Sequence, residues 1–248
     1  MPKVVFITGA AKRIGAEIAR LFHERGFNVI IHANKSVDAA NALVASLNQQ
    51  RADSAAMLQA DLTVSEETEN LGASALRVFN RLDVLVNNAS SFYPTPLGKI
   101  DSQQWNDLID SNLRAGFFLS QQLAPEISNN QGAIINLVDT HADRPLAGFP
   151  AYSIAKAGVK AMTRSLAIEL APNVRVNGVS PGAILWPPAL EDDNDPQVIE
   201  KRQQMLKQVP LNRLGETREI AEAVYYLAVE ASYITGHVIK VDGGRSLR

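Results

Sequence analysis

The sequence predicts an α/β fold: a doubly wound, mostly parallel seven-stranded sheet with helices on both faces. Three observations lead there. Short apolar runs alternate with longer stretches of helical spacing along the whole chain, the pattern of βαβ units with right-handed crossovers. The first run, residues 4–8, is continuously apolar and meets Gly9 at once, as a strand covered on both faces meets a turn. No internal repeat, linker or low-complexity tract divides the 248 residues, so 1–248 reads as one domain.

The elements follow in order. After the first strand, residues 14–25 place Ile14, Ile18, Leu21 and Phe22 on one helical face, and Gly26 ends the helix. The second strand is 29–32, followed by an alanine-rich helix over 39–47. A third strand, 55–59, leads into Asp61-Leu62, and Ser65 is placed to cap a helix running to residue 79. The fourth strand, 84–86, ends in Asn87-Asn88-Ala89, and two helices follow at 103–110 and 113–123. Strands at 133–138, 174–179 and 238–241 and a long helix at 150–170 complete the alternation. Residues 186–196 break the rhythm with three prolines and an acidic run, which suits a loop that closes over a site; the expected substrate loop spans about 183–210.

Composition excludes several classes. The chain has no cysteine, so disulfides, thiolate zinc sites and cysteine nucleophiles are excluded, as fits a reducing compartment. Net charge is -2 with signs mixed, and no basic stripe suggests nucleic acid. No segment approaches the ~18 apolar residues of a membrane span, and the first apolar run is too short for a signal peptide. The expectation is a soluble cytoplasmic protein. The four histidines show no ligand spacing, so no metal is expected.

The turn after the first strand, Thr8-Gly9-Ala10-Ala11-Lys12-Arg13-Ile14-Gly15, sits where backbone N–H groups and the positive end of a helix dipole favour a phosphate. Gly9 permits the tight turn and Gly15 the close approach of helix to strand. Arg13 would add charge-assisted hydrogen bonds to a pyrophosphate. Sites for NAD carry an acid at the end of the second strand for the ribose 2′-hydroxyl. This chain instead reads His32-Ala33-Asn34-Lys35-Ser36. An ammonium and a hydroxyl there attract a 2′-phosphate of about two negative charges, so NADPH/NADP+ is the expected cofactor. Asp61-Leu62 suits either an adenine edge or a plain strand-end turn. The short side chains of Asn87-Asn88-Ala89 can tie off backbone groups beside a cofactor.

Tyr152 and Lys156 are four apart at the start of the long helix and share a face. An ammonium beside a phenol, whose ordinary pKa is about 10, favours the phenolate. Taken with Asn112, Ser180-Pro181-Gly182 and Val241-Asp242-Gly243-Gly244, these motifs resemble the short-chain dehydrogenase/reductase family in order and over the whole chain. The resemblance implies a Rossmann-type fold, Tyr152 as proton donor with Lys156 as its partner, a relay water on Asn112, Pro181-Gly182 near the nicotinamide, and a homotetramer.

Two departures from the family pattern refine this. Arg13 replaces the middle glycine of its usual Thr-Gly-x-x-x-Gly-x-Gly turn. Asp139 stands 13 residues before the tyrosine, where the family has a serine. A serine hydroxyl donates to a ketone oxygen, which an ionised carboxylate would repel. A proton-sharing carboxyl suits a C=N bond, whose nitrogen needs a proton as hydride reaches carbon. These departures, with 88–94 and 181–187, resemble the pteridine reductases. That resemblance implies a pterin held by Arg13, Ser90, Phe92, Asp139 and Tyr152, with Phe92 stacking it against the nicotinamide and Ser90 also beside the cofactor. The Leu185-Trp186 stretch would close over the substrate. Reduction of a 3-oxoacyl thioester or quinone on the same scaffold, or cofactor sensing without chemistry, are the rival readings.

Overall fold

A computed structural model describes residues 1–186, 190 and 194–247. Seven strands form one sheet, every neighbouring pair parallel, in the order β3-β2-β1-β4-β5-β6-β7. They are β1 (Val4–Ile7), β2 (Asn28–Ala33), β3 (Ala55–Gln59), β4 (Val84–Asn87), β5 (Ala133–Leu137), β6 (Arg175–Pro181) and β7 (Val238–Val241). This is the expected doubly wound α/β fold.

Side chains alternate between the two faces of each strand, and the sheet builds a separate core on each. Val5, Ile7, Val29, Ile31, Val86 and Ile135 pack under α1 (Arg13–Glu24), α2 (Val37–Gln50) and α8 (Thr217–Tyr225). Val4, Phe6, Ile30, Leu85, Ile134 and Val176 pack under α3 (Ser65–Val78), α5 (Ala115–Asn129) and α6 (Pro150–Glu169). Burial on both faces is why these strands read as unbroken apolar runs rather than alternating ones.

The chain leaves β1 in one direction toward β2 and β3 and returns to its other side at β4. That reversal opens a crevice beyond the carboxyl ends of β1 and β4, the place where a sheet of this kind takes ligands.

Several local expectations are corrected. Ser65 begins α3 rather than capping it: Val64 is the cap residue and no side chain caps the helix, while the Ser65 hydroxyl accepts from Arg114. The two helices expected at 103–110 and 113–123 run together. Helix α4 (Ser102–Ile109) is started by a reciprocal Asp101–Gln104 capping box and passes through a π-turn, Asp110–Arg114, into α5. Helix α5 then continues to Asn129 through Pro125, whose missing N–H costs one ladder bond but leaves the apolar face of Leu119, Leu123 and Ile127 intact. Between β6 and β7, where the sequence suggested only a loop, α7 (Pro196–Lys207) and α8 form. Asp195 caps α7, and a Glu216–Glu219 capping box opens α8. A parallel crossover needs such an element, and Ile220, Ala221 and Val224 bury its apolar face. Of the expected substrate loop, residues 187–189 and 191–193, with their two prolines and most of the acidic run, lie outside the described residues. Among the described residues no helix is long and apolar enough to cross a membrane.

Candidate active site

A cleft of about 700 Å³ follows the carboxyl edge of the sheet. It brings together Gly9, Arg13, Ile14, Gly15, His32, Asn34, Lys35, Asp61, Leu62, Ala89, Ser90, Phe92, Asp139, Tyr152, Lys156, Pro181, Gly182 and Leu185. Four of the residues expected at the site are placed off its wall. Ser36 precedes α2 as its cap residue without a side-chain hydrogen bond. Asn87 and Asn112 face a small cavity behind the cleft. Trp186 packs under Arg202, whose guanidinium carbon is 5.0 Å from its ring centroid.

At one end the phosphate turn is built by close packing. Gly9 has φ 61°, and a Cβ on it would lie 2.8 Å from Ala89 Cα; one on Gly15 would lie 2.5 Å from Asn88 Nδ2. Asn88 holds this turn to β4, its Nδ2 donating to the carbonyls of Thr8 and Gly9 at 2.9 Å each. Arg13, at the position of the family's middle glycine, adopts φ 55°, the left-handed region that favours glycine. Lys12 precedes α1 and no side chain caps the helix, so its first N–H groups stay free of side-chain acceptors where Arg13, Ile14 and Gly15 line the cleft. The chemistry of this turn, with exposed Lys35 on the same wall, fits a phosphate-bearing dinucleotide.

Two expected cofactor residues also have structural partners of their own. His32 is buried; its Nδ1 accepts from the Gly9 N–H at 3.0 Å and its Nε2 lies 3.1 Å from the Ala60 carbonyl, so the proton is on Nε2. Burial holds its pKa below the ordinary histidine value, against the pull of Ala60 and Asp61. Asp61 behaves as a strand-end turn: its Oδ1 accepts from the Thr63 N–H at 2.9 Å and hydroxyl at 2.7 Å, which holds its pKa below the usual carboxylate range.

At the other end, Tyr152 and Lys156 are one turn apart on α6 and both buried, at 5% and 3% exposure. The Tyr152 hydroxyl donates to Asp139 Oδ2 at 2.8 Å, and the His141 N–H fixes the other oxygen at 2.7 Å. The expected influence of lysine on tyrosine is reversed. Burial first, then the charge of Asp139 and the hydrogen bond to it, push the phenol well above its ordinary value, with Ser90 alone opposing. Lys156 cannot offset this. Its Nζ donates to the Leu137 carbonyl at 3.0 Å and sits 5.7 Å from the centre of the tyrosine ring. Burial in turn lowers Lys156 to about 8 despite Asp139.

Phe92 is 52% exposed over the cleft. It stacks on Phe149, centroids 4.6 Å apart, and meets the Tyr152 ring edge-on at 4.8 Å. The Ser90 hydroxyl donates to Asn112 Oδ1 at 2.6 Å, and Asn112 Nδ2 donates to the carbonyls of Ser91 and Leu108. Asn112 therefore braces the Ser90–Phe92 segment from behind.

Sequence reasoning passed over Lys12, Asp107, Ser111, His141, Met205 and Arg245, all on the cleft wall. His141 could have been found, two residues beyond Asp139. Asp107 carried no local signal; it arrives because α4 crosses the cleft and Tyr93 donates to it at 2.8 Å.

Sheet order, glycine turn and buried Tyr–Lys pair define a nucleotide-binding oxidoreductase fold, and the comparisons agree. The chain belongs to the short-chain dehydrogenase/reductase family; residues 9–246 match the profile described as Enoyl-(Acyl carrier protein) reductase. It is similar to pteridine reductase 1 of Leishmania tarentolae, 36% identical over 98% of this chain and 96% of that protein. It is equally similar to the 3-oxoacyl-(acyl-carrier-protein) reductases of Staphylococcus aureus, 37% identical over 98% of each chain, and of Staphylococcus epidermidis, 37% identical over 98% of this chain and 99% of that one. The protein is an oxidoreductase of this family.

Proposed function

We propose that this protein reduces a pterin with NADPH, the 1–248 chain acting as one domain with 183–210, helix α7 included, as its substrate-side segment. The observation that carries the reading is the Tyr152–Asp139 hydrogen bond, 2.8 Å long, in a cleft roofed by an exposed Phe92. An ionised carboxylate beside a developing oxyanion opposes it by about 4 kcal/mol at ~4 Å and an effective dielectric of ~20, roughly a thousandfold in rate. The same carboxyl beside a ring nitrogen either accepts an N–H or delivers a proton. Asp139 thus favours a nitrogen heterocycle over a 3-oxoacyl thioester.

The turn at Gly9–Gly15 with Arg13 would hold the pyrophosphate, Lys35 with Asn34 the 2′-phosphate, and Lys156 the nicotinamide ribose, beside Pro181 and Gly182. When bound, NADPH supplies the hydride. Tyr152 keeps its proton at neutral pH; it and Asp139, joined by one hydrogen bond, would together give a proton to the ring nitrogen as hydride reaches carbon, and solvent would return a proton to the pair. Phe92 provides a flat apolar face for the ring, and Ser90 and Arg13 flank it. The lack of cysteine fits a cytoplasmic enzyme. Exposed Trp105, Phe117 and Phe118 on α4 and α5 fit burial in a homotetramer.

The test follows NADPH absorbance with dihydrobiopterin or an acetoacetyl thioester as sole acceptor, with NADH alongside. Pterin-dependent loss of NADPH but not NADH is expected. Thioester reduction without pterin reduction overturns the reading. Asp139→Ser should retain NADPH binding and lose pterin turnover; a change within about twofold, roughly 0.4 kcal/mol, removes the proposed acid.

A further inference from the structure

The wall that carries Asp139 continues into a basic rim. His141 and Arg245 both line the cleft, and Arg144, off its wall, is hydrogen-bonded to both. Hydrogen bonds join the three in sequence. His141 donates its N–H to Asp139, and its Nδ1 lies 3.1 Å from the Arg144 carbonyl oxygen. The Arg144 Nη1 donates to the Arg245 carbonyl at 3.0 Å. The carbonyl requires a proton on His141 Nδ1, so its Nε2 donates to an anion only when the ring carries a second proton.

The acids on this side are committed elsewhere. Asp143 pairs with Lys160 and, at 3.3 Å, with Lys240. Asp139 accepts from Tyr152. Asp242 accepts from the N–H groups of Gly244 and Ser246 at 2.9 Å each, and so shapes the turn that presents Arg245. Arg81, Arg213 and Arg218 are each paired with acids. Arg245, half-buried in the cleft wall, has no ion pair among the described residues. A partly desolvated guanidinium beside a histidine and a second arginine attracts an anion, and carboxylate and phosphate both match its fork. Lys12 and Arg13 follow β1 and Lys35 follows β2, at the end of the cleft read above as the phosphate site, whereas Arg245 follows β7 and His141 follows β5. The rim therefore serves the substrate, not the cofactor.

We infer that Arg245 and His141 form a subsite for an anionic tail, carboxylate or phosphate, carried by the substrate beyond its ring. This rests on the pterin reading above. The two basic groups read the tail while Asp139, Tyr152 and Phe92 read the ring.

The test compares kcat/KM for three dihydropterins: dihydrofolate with its carboxylates, dihydroneopterin phosphate, and dihydrobiopterin with a neutral tail. It also measures Kd for folate, neopterin phosphate and biopterin on NADP+-loaded enzyme by tryptophan fluorescence. An anionic tail should be preferred, and Arg245→Gln should lower the anionic-to-neutral ratio about tenfold in both kcat/KM and Kd. Arg245→Lys should restore part of it, and Arg245→Glu should reverse it. The better of the two anionic substrates identifies the tail as carboxylate or phosphate. A ratio unmoved in all three variants, with dihydrobiopterin still reduced by the wild type, overturns the subsite and leaves the pterin reading standing. Failure to reduce any of the three overturns both.

Discussion

At Arg13 sequence and backbone are at odds. Its φ of 55° belongs to the region where glycine is at ease, and a side chain there costs about 1–2 kcal/mol. A glycine also frees the unfolded chain, by ~0.4–1 kcal/mol. Arg13→Gly should therefore stabilise the cofactor-free protein by about 0.5–1 kcal/mol, seen as a Tm higher by a few degrees. NADPH should bind more weakly, read by direct titration. A lower Tm would show that packing by the arginine outweighs the strain; unchanged affinity would remove it from the phosphate site. A strained residue retained at a ligand-facing turn points to use rather than to packing.

At the scale of elements, the position of Asp139 depends on how the turn after β5 meets α6. Asp139 caps the short 3-10 turn Thr140–Ala142 with its own carboxylate, and Asp143 at the other end pairs with Lys160 on α6 and Lys240 on β7. Lys160 continues the helical face of Tyr152 and Lys156, so this ion pair clamps the turn to the helix that carries them. The pairs are partly exposed and are worth at most ~1 kcal/mol in stability. Asp143→Asn should lower Tm by no more than a few degrees yet reduce kcat about threefold to tenfold, with NADPH affinity unchanged. Glutamate at 143 should recover part of the loss. A kcat equal to wild type would mean that the turn's own hydrogen bonds, such as the Arg144 N–H to the Thr140 carbonyl at 3.0 Å, suffice.

For the molecule as a whole, two buried histidines tie the sheet to its surroundings in their neutral form. His32 joins the ends of β1, β2 and β3. His23 on α1 meets the Ser54 hydroxyl before β3 at 2.7 Å. Burial is the first cause of a lowered pKa for each. With the folded value below the unfolded one of about 6.5, the unfolded chain binds more protons as pH falls through that value. Their contribution is whole above pH ~6.5 and is lost progressively below it. Urea midpoints should be level from pH 8 to 7 and fall between about 6.5 and 5. The lowered carboxylates Asp61, Asp143 and Glu219 act at lower pH, in a separate window. A midpoint unchanged down to pH 5 would contradict this.

The sequence by itself determined the sheet, its seven strands, the phosphate turn and the Tyr152–Lys156 face. Each is written in local periodicity or fixed spacing: unbroken apolar runs for strands covered twice, glycines where a Cβ would collide, and a four-residue step for one turn of helix. It also marked Asp139 as a departure from the family pattern. Helices α7 and α8 escaped notice because one is polar and the other is only nine residues long, its place set by the crossover it completes. Tertiary structure alone decided what the site residues do to one another. Lys156 turns to a backbone carbonyl, so Asp139 and burial govern the tyrosine. Asn112 braces Ser90 from behind, and Arg245 arrives from the far end of the chain to line the same cleft as Asp139. The physical reason is the same in each case. Periodicity reports a residue's neighbours along its own element, whereas charge, burial and hydrogen bonding at this cleft are set by groups up to about a hundred residues apart, as with Arg144 and Arg245, which the parallel sheet brings to one edge.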